Sequence, residues 1–311
     1  MDKQRQNVTI YLAERPSYGI VPGKTFASKT EPAPTVDDLK DGEVLVETLY
    51  LSLDPSMRGL LNGKYRKSYM PPVAIGQKMV GGAVSRVLGS KSAKANPGDI
   101  VHSFSGWTEV AIVLEAAVDV FLVPQGGKLT DILMAALNGP GPTAYIGMKN
   151  IAKVKPGETV VVSTAADGNG TLVVPHLPSG PGDRHAEVDV YWDNVGGQLL
   201  ETLLNRAAKK SRFVICGGVS EYNTPLEERY RVTNILEVGK KRMRMEGFVV
   251  LDHAQEMPQV RAELFDWVAQ GKLKIFNTIL KGGIGEAENA SMKLFEGENC
   301  GKLSLEVKAA L

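Results

Sequence analysis

The second half of the sequence, from about Leu129 onward, alternates apolar strands with amphipathic helices. The apolar runs Thr159 to Ser163 and Val188 to Trp192 are typical of strands covered on both faces. A helix with four leucines on its inner face, Gln198 to Lys210, follows the second run, and Arg212 to Cys216 is predicted as the next strand. This alternation predicts a parallel, doubly wound sheet. Two later elements extend it: a strand at Gly247 to Leu251 and a helix at Val260 to Ala269.

The first part of the chain has a different pattern, with short β-segments separated by Pro71-Pro72, Pro97-Gly98 and Gly126-Gly127. Short strands punctuated in this way predict a compact barrel or sandwich rather than βαβ units. The final run, Lys302 to Lys308, alternates apolar and polar residues in the same manner. The clearest predicted strands are Val8 to Ala13, Glu43 to Ser52, Met79 to Leu88, Glu109 to Leu114 and Val120 to Val123.

Composition excludes several classes of protein. The 311 residues carry 36 basic and 35 acidic side chains, so no net charge favours nucleic acid or an anionic membrane. The basic cluster from Lys240 to Arg244 is interpreted as a solvated helix end. No apolar run reaches the ~20 residues of a membrane helix, and the N-terminus lacks the apolar stretch of a signal peptide. With only two cysteines, Cys216 and Cys300, the protein is predicted to be reduced and cytoplasmic.

A possible phosphate-binding turn follows the strand at Thr159 to Ser163. A dinucleotide fold needs glycines directly after a buried strand, so that the backbone approaches the pyrophosphate at the start of the next helix. Here Gly168 and Gly170 occur in Asp167-Gly168-Asn169-Gly170. Asp-Gly and Asn-Gly pairs are also ordinary turn residues, and taken in isolation this segment is better interpreted as a tight turn.

The segment between Ala166 and Val188 is too short for a complete dinucleotide fold. Such a fold needs a helix after the glycines and then a second strand with a ribose-binding residue ~20 positions on. Only residues 167–187 are available, and they include Pro175, Pro178 and Pro181. Proline and glycine at this density do not support a packed helix.

Seven segments together resemble the family of prostaglandin reductases, leukotriene hydroxydehydrogenases and alkenal double-bond reductases, in the zinc-independent branch of the medium-chain dehydrogenase/reductase superfamily. The resemblance covers nearly the whole chain in the right order. Asp193-Asn194-Val195-Gly196-Gly197 lies within the most characteristic segment. The seven segments are Tyr50 to Gly59, Gly139 to Tyr145, Pro156 to Ser163, Val190 to Gly197, Cys216 to Asn223, Met245 to Val250 and Gly297 to Lys302.

The resemblance implies an α/β fold with a GroES-like β-barrel catalytic domain and a doubly wound Rossmann domain. Residues 1–130 would form the catalytic domain, residues 131–284 an NADP-binding domain that is truncated between 167 and 187, and residues 285–311 the return to the first domain. The truncation removes the family's lysine and tyrosine that bind the adenosine 2′-phosphate. It also replaces the family's Gly-Ala-Val-Gly turn.

The resemblance also implies the site residues and partners. Tyr222 would be the catalytic hydrogen-bond donor to the substrate carbonyl, with a tyrosine packed at a strand end as the alternative. Ser56, where the family usually has tyrosine, and Arg58 would meet the substrate, although a lone arginine is more often a solvated surface charge.

The partners would be NADPH and a small molecule, and the protein a homodimer. The cofactor-binding residues would be Gly168, Gly170, Asn194, Cys216, Gly217, Gly218, Tyr222, Phe248, Val249, Val250 and Asn299. Turn formation explains Asn194 and Asn299 as well, and core packing explains Phe248 and Val250.

A metal site is not expected. Zinc needs three or four clustered Cys, His or carboxylate ligands. The four histidines have no ligand spacing, and Gly76-Gln77-Lys78-Met79 stands where zinc-dependent relatives have histidine and glutamate. The resemblance therefore implies reduction of an activated carbon–carbon double bond in an enone, enal or quinone, in the context of natural-product biosynthesis. The alternative is a non-catalytic relative, from a shortened isoform or gene model, that binds no dinucleotide.

Overall fold

The computed structural model describes residues 4–63, 69–120, 139–164 and 187–309. The described residues form two compact units, one containing residues up to 120 together with 277–309, and the other containing residues 139–276. The chain returns to the first unit at Asn277 because the strand that begins there pairs within that unit, whereas the sequence prediction placed this boundary after residue 284. In the part of the chain described, no helix is long and apolar enough to cross a membrane.

The first unit is built mainly from antiparallel strands. A hairpin of β1 and β2 accompanies a seven-stranded sheet in the order β12-β13-β3-β4-β5-β7, in which β6 pairs with β3. Two short helices, α1 and α6, complete the unit. The elements are β1 (Gln6–Leu12), β2 (Phe26–Pro32), β3 (Glu43–Ser52), α1 (Met57–Leu60), β4 (Ala83–Ser90), β5 (Ile100–Ser103), β6 (Val110–Leu114), β7 (Val118–Val120), β12 (Asn277–Leu280), α6 (Ala287–Glu296) and β13 (Lys302–Glu306).

The second unit contains a four-stranded parallel sheet in the order β11-β10-β9-β8. All of the predicted strands except the last are present within a few residues. The elements are α2 (Pro140–Ile146), a π-helical turn (Gly147–Ala152), β8 (Val160–Val162), β9 (Val188–Asp193), α3 (Gly197–Arg206), β10 (Ala207–Ile215), α4 (Leu236–Lys241), β11 (Arg244–Gly247) and α5 (Met257–Ala269). The α/β prediction is therefore confirmed.

Three local predictions in this unit are corrected. The predicted strand Gly247 to Leu251 is wrong, because β11 ends at Gly247 and a 3-10 helix spans Val250–Glu256. Helix α3 ends at Arg206 rather than Lys210, since Ala207–Ile215 extends along β9 with a shift in register. Leu199 is exposed, so the buried face of α3 is formed mainly by its later leucines.

Gly147 shows how closely the second unit packs around β9. A Cβ atom at Gly147 would overlap the ring of Trp192, which is fully buried, and would lie 3.0 Å from Cζ of Phe248. We expect Gly147→Ala to lower the free energy of unfolding by about 1–3 kcal/mol, because core overpacking forces strained rotamers. Gly239→Ala is the matched control, since nothing lies within 4 Å of its Cβ position in α4. Urea denaturation of both variants checks this, and equal midpoints would contradict it.

Candidate functional site

The carboxyl ends of the parallel strands β9, β10 and β11 lie at one edge of the second unit's sheet. Ligands of open α/β sheets bind outside this edge. The loops that follow the three strands carry most of the predicted cofactor residues, so the structure brings these residues to the same edge. They are Asn194, Cys216, Gly217, Gly218, Tyr222, Phe248, Val249 and Val250. The predicted Gly168 and Gly170 lie outside the described residues.

The loops after β9 and β10 are joined by backbone hydrogen bonds. The carbonyl oxygen of Asp193 accepts from the N–H groups of Cys216, at 2.8 Å, and Gly217, at 3.0 Å. The carbonyl oxygen of Asn194 accepts from the N–H of Val219 at 2.9 Å. These bonds fix the positions of the two loops relative to each other.

Tyr222 folds back over the loop that carries it. Its side chain is half-buried, and its hydroxyl oxygen accepts a hydrogen bond from the Gly218 N–H at 3.3 Å. A Cβ at Gly217 would lie 3.2 Å from this hydroxyl oxygen and 3.3 Å from the Asn194 carbonyl oxygen. Glycine is therefore needed at position 217 for the close approach of the ring. The geometry holds the phenol at the sheet edge, and its catalytic role stays a prediction.

Asn194 is more than a turn residue. It is buried, its backbone N–H donates to Ser163 Oγ at 2.8 Å, and its Nδ2 lies 3.2 Å from Thr164 Oγ1. Ser163 Oγ in turn donates to the Trp192 carbonyl oxygen at 3.1 Å. The ends of β8 and β9 are thus connected through hydroxyl groups. Sequence reasoning missed Ser163 and Thr164, whose role depends on pairing between distant strands.

Asp193 is a third residue that the sequence reasoning missed. Its carboxylate is fully buried, and Oδ1 accepts from the Tyr191 hydroxyl at 2.8 Å and from the N–H groups of Val195 and Gly196 at 2.9 and 2.8 Å. Burial, and then the charge of Asp193, raise the pKa of Tyr191 well above its ordinary value, so this phenol stays a donor. Asp193 therefore shapes the turn that begins α3. An aspartate at the end of a strand is a recognisable signal for such a turn, because its carboxylate accepts from the backbone N–H two residues further on.

Phe248 is explained by packing. Its ring meets the Trp192 ring edge-on, with centroids 5.9 Å apart. Val249 and Val250 are half-buried at the start of the following 3-10 helix. The core-packing alternative therefore accounts for Phe248, while a contact of these three residues with a cofactor stays a prediction.

The predicted substrate residues lie in the first unit. Ser56 is exposed, directly before α1. Arg58 is only 5% exposed, and its guanidinium donates to the Tyr18 carbonyl oxygen, so its interpretation as a solvated surface charge is wrong. Arg58 lines a small, open depression whose walls are mainly apolar. Asn299 Nδ2 donates to the Gly301 carbonyl oxygen at 2.8 Å, which supports its role as a loop amide.

Comparison with known proteins shows the family. Residues 9–120 match the family described as the N-terminal domain of oxidoreductase. The putative NADP-dependent oxidoreductase YfmJ of Bacillus subtilis is 32% identical over 96% of this chain and 97% of its own length. The NADPH-dependent curcumin reductase of Escherichia coli is 30% identical over 99% of both chains. The chain belongs to the zinc-independent medium-chain dehydrogenase/reductase family.

A solved structure of this family has the same architecture. The crystal structure of CurA from Vibrio vulnificus in complex with NADPH is 28% identical, covers 97% of this chain and 100% of its own, and has a TM-score of 0.84. The structure of a putative NADPH:quinone reductase from Bacillus thuringiensis is only 15% identical but has the same fold, with a TM-score of 0.73 over 98% of this chain and 100% of its own. The GroES-like and Rossmann assignment of this family member is therefore confirmed.

We expect this family member to contain no stoichiometric zinc. Among the described residues no three His, Cys, Asp or Glu side chains cluster as metal ligands. Cys216 is half-buried and Cys300 is exposed, in different units. Elemental analysis of the purified protein checks this expectation, together with activity before and after treatment with a chelator. One zinc ion per chain, or inactivation by the chelator, would contradict it.

Proposed function

We propose that the protein is an NADPH-dependent reductase of the activated carbon–carbon double bond in a small enone, enal or quinone. Similar proteins include the curcumin reductase of Escherichia coli, a 2-alkenal reductase of Nicotiana tabacum and prostaglandin reductase 1 of Bos taurus, which are 30–31% identical. The observation that carries the proposal is the position of Tyr222. Its phenol is held at the carboxyl edge of a parallel sheet, beside Gly217 and Gly218.

The residues at this edge fit the nicotinamide half of the cofactor. Nothing lies within 4 Å of a Cβ position at Gly218, so space is open beside the phenol, while Gly217 leaves no room for a side chain. The Asn194 side chain and the carbonyl oxygens of Cys216 and Gly217 would pair with the carboxamide, because the backbone N–H groups of Cys216 to Gly218 already donate within the protein. These residues would hold the nicotinamide, and a cofactor contact of Asn299 stays a prediction of the sequence. When bound, NADPH supplies the hydride for the reaction.

The chain's own contribution to the reaction would be a preoriented hydrogen-bond donor to the carbonyl oxygen of the substrate. Negative charge develops on the carbonyl oxygen of the substrate when its β-carbon is reduced. A donor that is fixed before the reaction stabilises this charge without reorganisation. The Gly218 N–H and the close approach at Gly217 orient the Tyr222 phenol, so that its O–H would donate to that oxygen. Ser56 and Arg58 are proposed as the substrate-side residues of the first unit.

A second candidate is a family member that binds no dinucleotide. The alignment with the Escherichia coli reductase runs over 351 positions, whereas this chain has 311 residues, so at least 40 positions of the relative have no counterpart here. This deficit agrees with the predicted truncation between 167 and 187, a segment with three prolines. A role in natural-product biosynthesis, a homodimeric state and a cytoplasmic location stay predictions of the sequence.

The loss of reduced nicotinamide absorbance tests the proposal. The purified protein is mixed with saturating NADPH and, in turn, a 2-alkenal, an α,β-unsaturated ketone and a quinone. We expect oxidation of NADPH with at least one of them and formation of the saturated product or hydroquinone. If none is reduced and calorimetry detects no binding of NADPH to the folded protein, the second candidate is the correct one.

A further inference from the structure

Lys302 is a buried cation in the first unit. It is the first residue of β13 and is only 2% exposed. Lysine is almost never buried to this degree unless its ammonium group is paired. The position of its partners therefore indicates what the buried charge does.

The ammonium group of Lys302 binds the segment that follows β3. Its Nζ donates to the Leu53 carbonyl oxygen and to Asp54 Oδ2, the latter at 2.9 Å. Asp54 Oδ2 also accepts from Ser52 Oγ at 3.0 Å. The Leu53 N–H donates to the Leu303 carbonyl oxygen at 3.3 Å, so backbone and side chains join β13 to this segment together.

Asp54 in turn begins the turn that leads into α1. Its carbonyl oxygen accepts from the Met57 N–H at 3.0 Å, and the Pro55 carbonyl oxygen accepts from the Arg58 N–H at 3.0 Å. The side chains of Asp54, Met57 and Arg58 all line the open depression of this unit. The Lys302–Asp54 pair thus fixes the first residue of the segment that lines this depression.

We propose that Lys302 is a positioning residue for the substrate-side segment from Asp54 to Arg58. This inference rests on the proposed function, because it assumes that this segment meets the substrate. Lys302 itself contacts the segment only through Leu53 and Asp54. A displaced substrate-side segment would weaken binding of the substrate in the ground state and in the transition state alike, and such a loss raises KM.

The test compares Lys302→Met with Lys308→Met. Lys308 follows the same strand, but its side chain is half exposed and pairs at 2.6 Å with Glu47 of β3 rather than with Asp54. We expect Lys302→Met to raise the KM of the reduced substrate on the order of tenfold, whereas Lys308→Met leaves it within about twofold. A loss of folded protein would lower the apparent kcat but would not change KM. An unchanged KM in active Lys302→Met would overturn the proposal.

Hydrogen exchange keeps the test independent of activity. Amide exchange at Met57 and Arg58 should be at least about tenfold faster in Lys302→Met than in the wild type, because their hydrogen bonds depend on the anchored turn. Lys302→Arg, which retains the charge, should restore part of the protection. If Lys302→Met does not fold, Asp54→Asn is measured in its place. Unchanged exchange at both amides overturns the proposal, whereas a wild type that reduces no substrate overturns only the proposed function.

Discussion

NADPH is expected to bind this protein roughly two to four powers of ten more weakly than it binds family members with an intact nucleotide domain. The sequence of residues 167–187 supplies three reasons. Asp167 stands where the family has its glycine-rich turn, and a negative charge there would repel the phosphates in a poorly solvated site. Pro175 and Pro178 follow Gly170 closely in the sequence, and prolines at this spacing would prevent a helix from presenting its N-terminus to the pyrophosphate. The sequence predicts no complete strand with a ribose-binding residue before Val188, so charge-assisted contacts of ~1.5–3 kcal/mol each would be lost.

Titration calorimetry with NADPH measures this affinity directly. The comparison protein is CurA of Vibrio vulnificus, whose complex with NADPH has the same fold. Replacing residues 165–187 with the corresponding segment of that relative should restore most of the affinity. A dissociation constant in the low micromolar range for the unmodified chain would contradict the prediction. The segment would then have to bind the cofactor in a different way.

The sequence predicted the sheet of the second unit well because its strands are short apolar runs with clear limits. β9 and β10 lie close to their predicted positions, since Val188 to Trp192 and Arg212 to Cys216 are bounded by polar and glycine residues. The segment Gly247 to Leu251 is apolar as well, yet only Gly247 pairs with β10. An apolar run does not distinguish a strand from a short helix, so tertiary pairing decided the outcome.

The candidate site was predicted less completely, because its organisation depends on contacts between residues distant in sequence. Neither the burial of Arg58 nor its bond to Tyr18 has a local signal, and a lone arginine is more often a solvated surface charge. Asn194 is held by hydrogen bonds to Ser163 and Thr164, which lie about 30 residues earlier in the chain. Lys302 and Asp54 are 248 positions apart. Such pairs become visible only when the strands that carry them are placed side by side.

The largest effect of a single substitution is expected for Tyr222→Phe. The variant keeps the aromatic ring but removes the O–H that would stabilise charge on the substrate oxygen. Loss of one such donor typically costs on the order of 3 kcal/mol in the transition state, which corresponds to a fall in kcat of about a hundredfold. The bond forms fully only as charge develops, so the KM of the substrate should change by less than about threefold.

Steady-state kinetics and the affinity for NADPH together distinguish a catalytic role of the Tyr222 hydroxyl from a role in packing of the loop. The Tyr222 hydroxyl also accepts from the Gly218 N–H, so its removal could disturb the loop. A disturbed loop would weaken NADPH binding and lower the melting temperature, whereas loss of the catalytic donor alone would change neither. Tyr230→Phe is the matched control, because Tyr230 lies on the same connection between β10 and α4 but is exposed and bonds Glu201. If Tyr222→Phe and Tyr230→Phe turn over as fast as the wild type, the phenol of Tyr222 is a packing group, and the donor for the substrate oxygen must be sought among the other polar groups at the sheet edge.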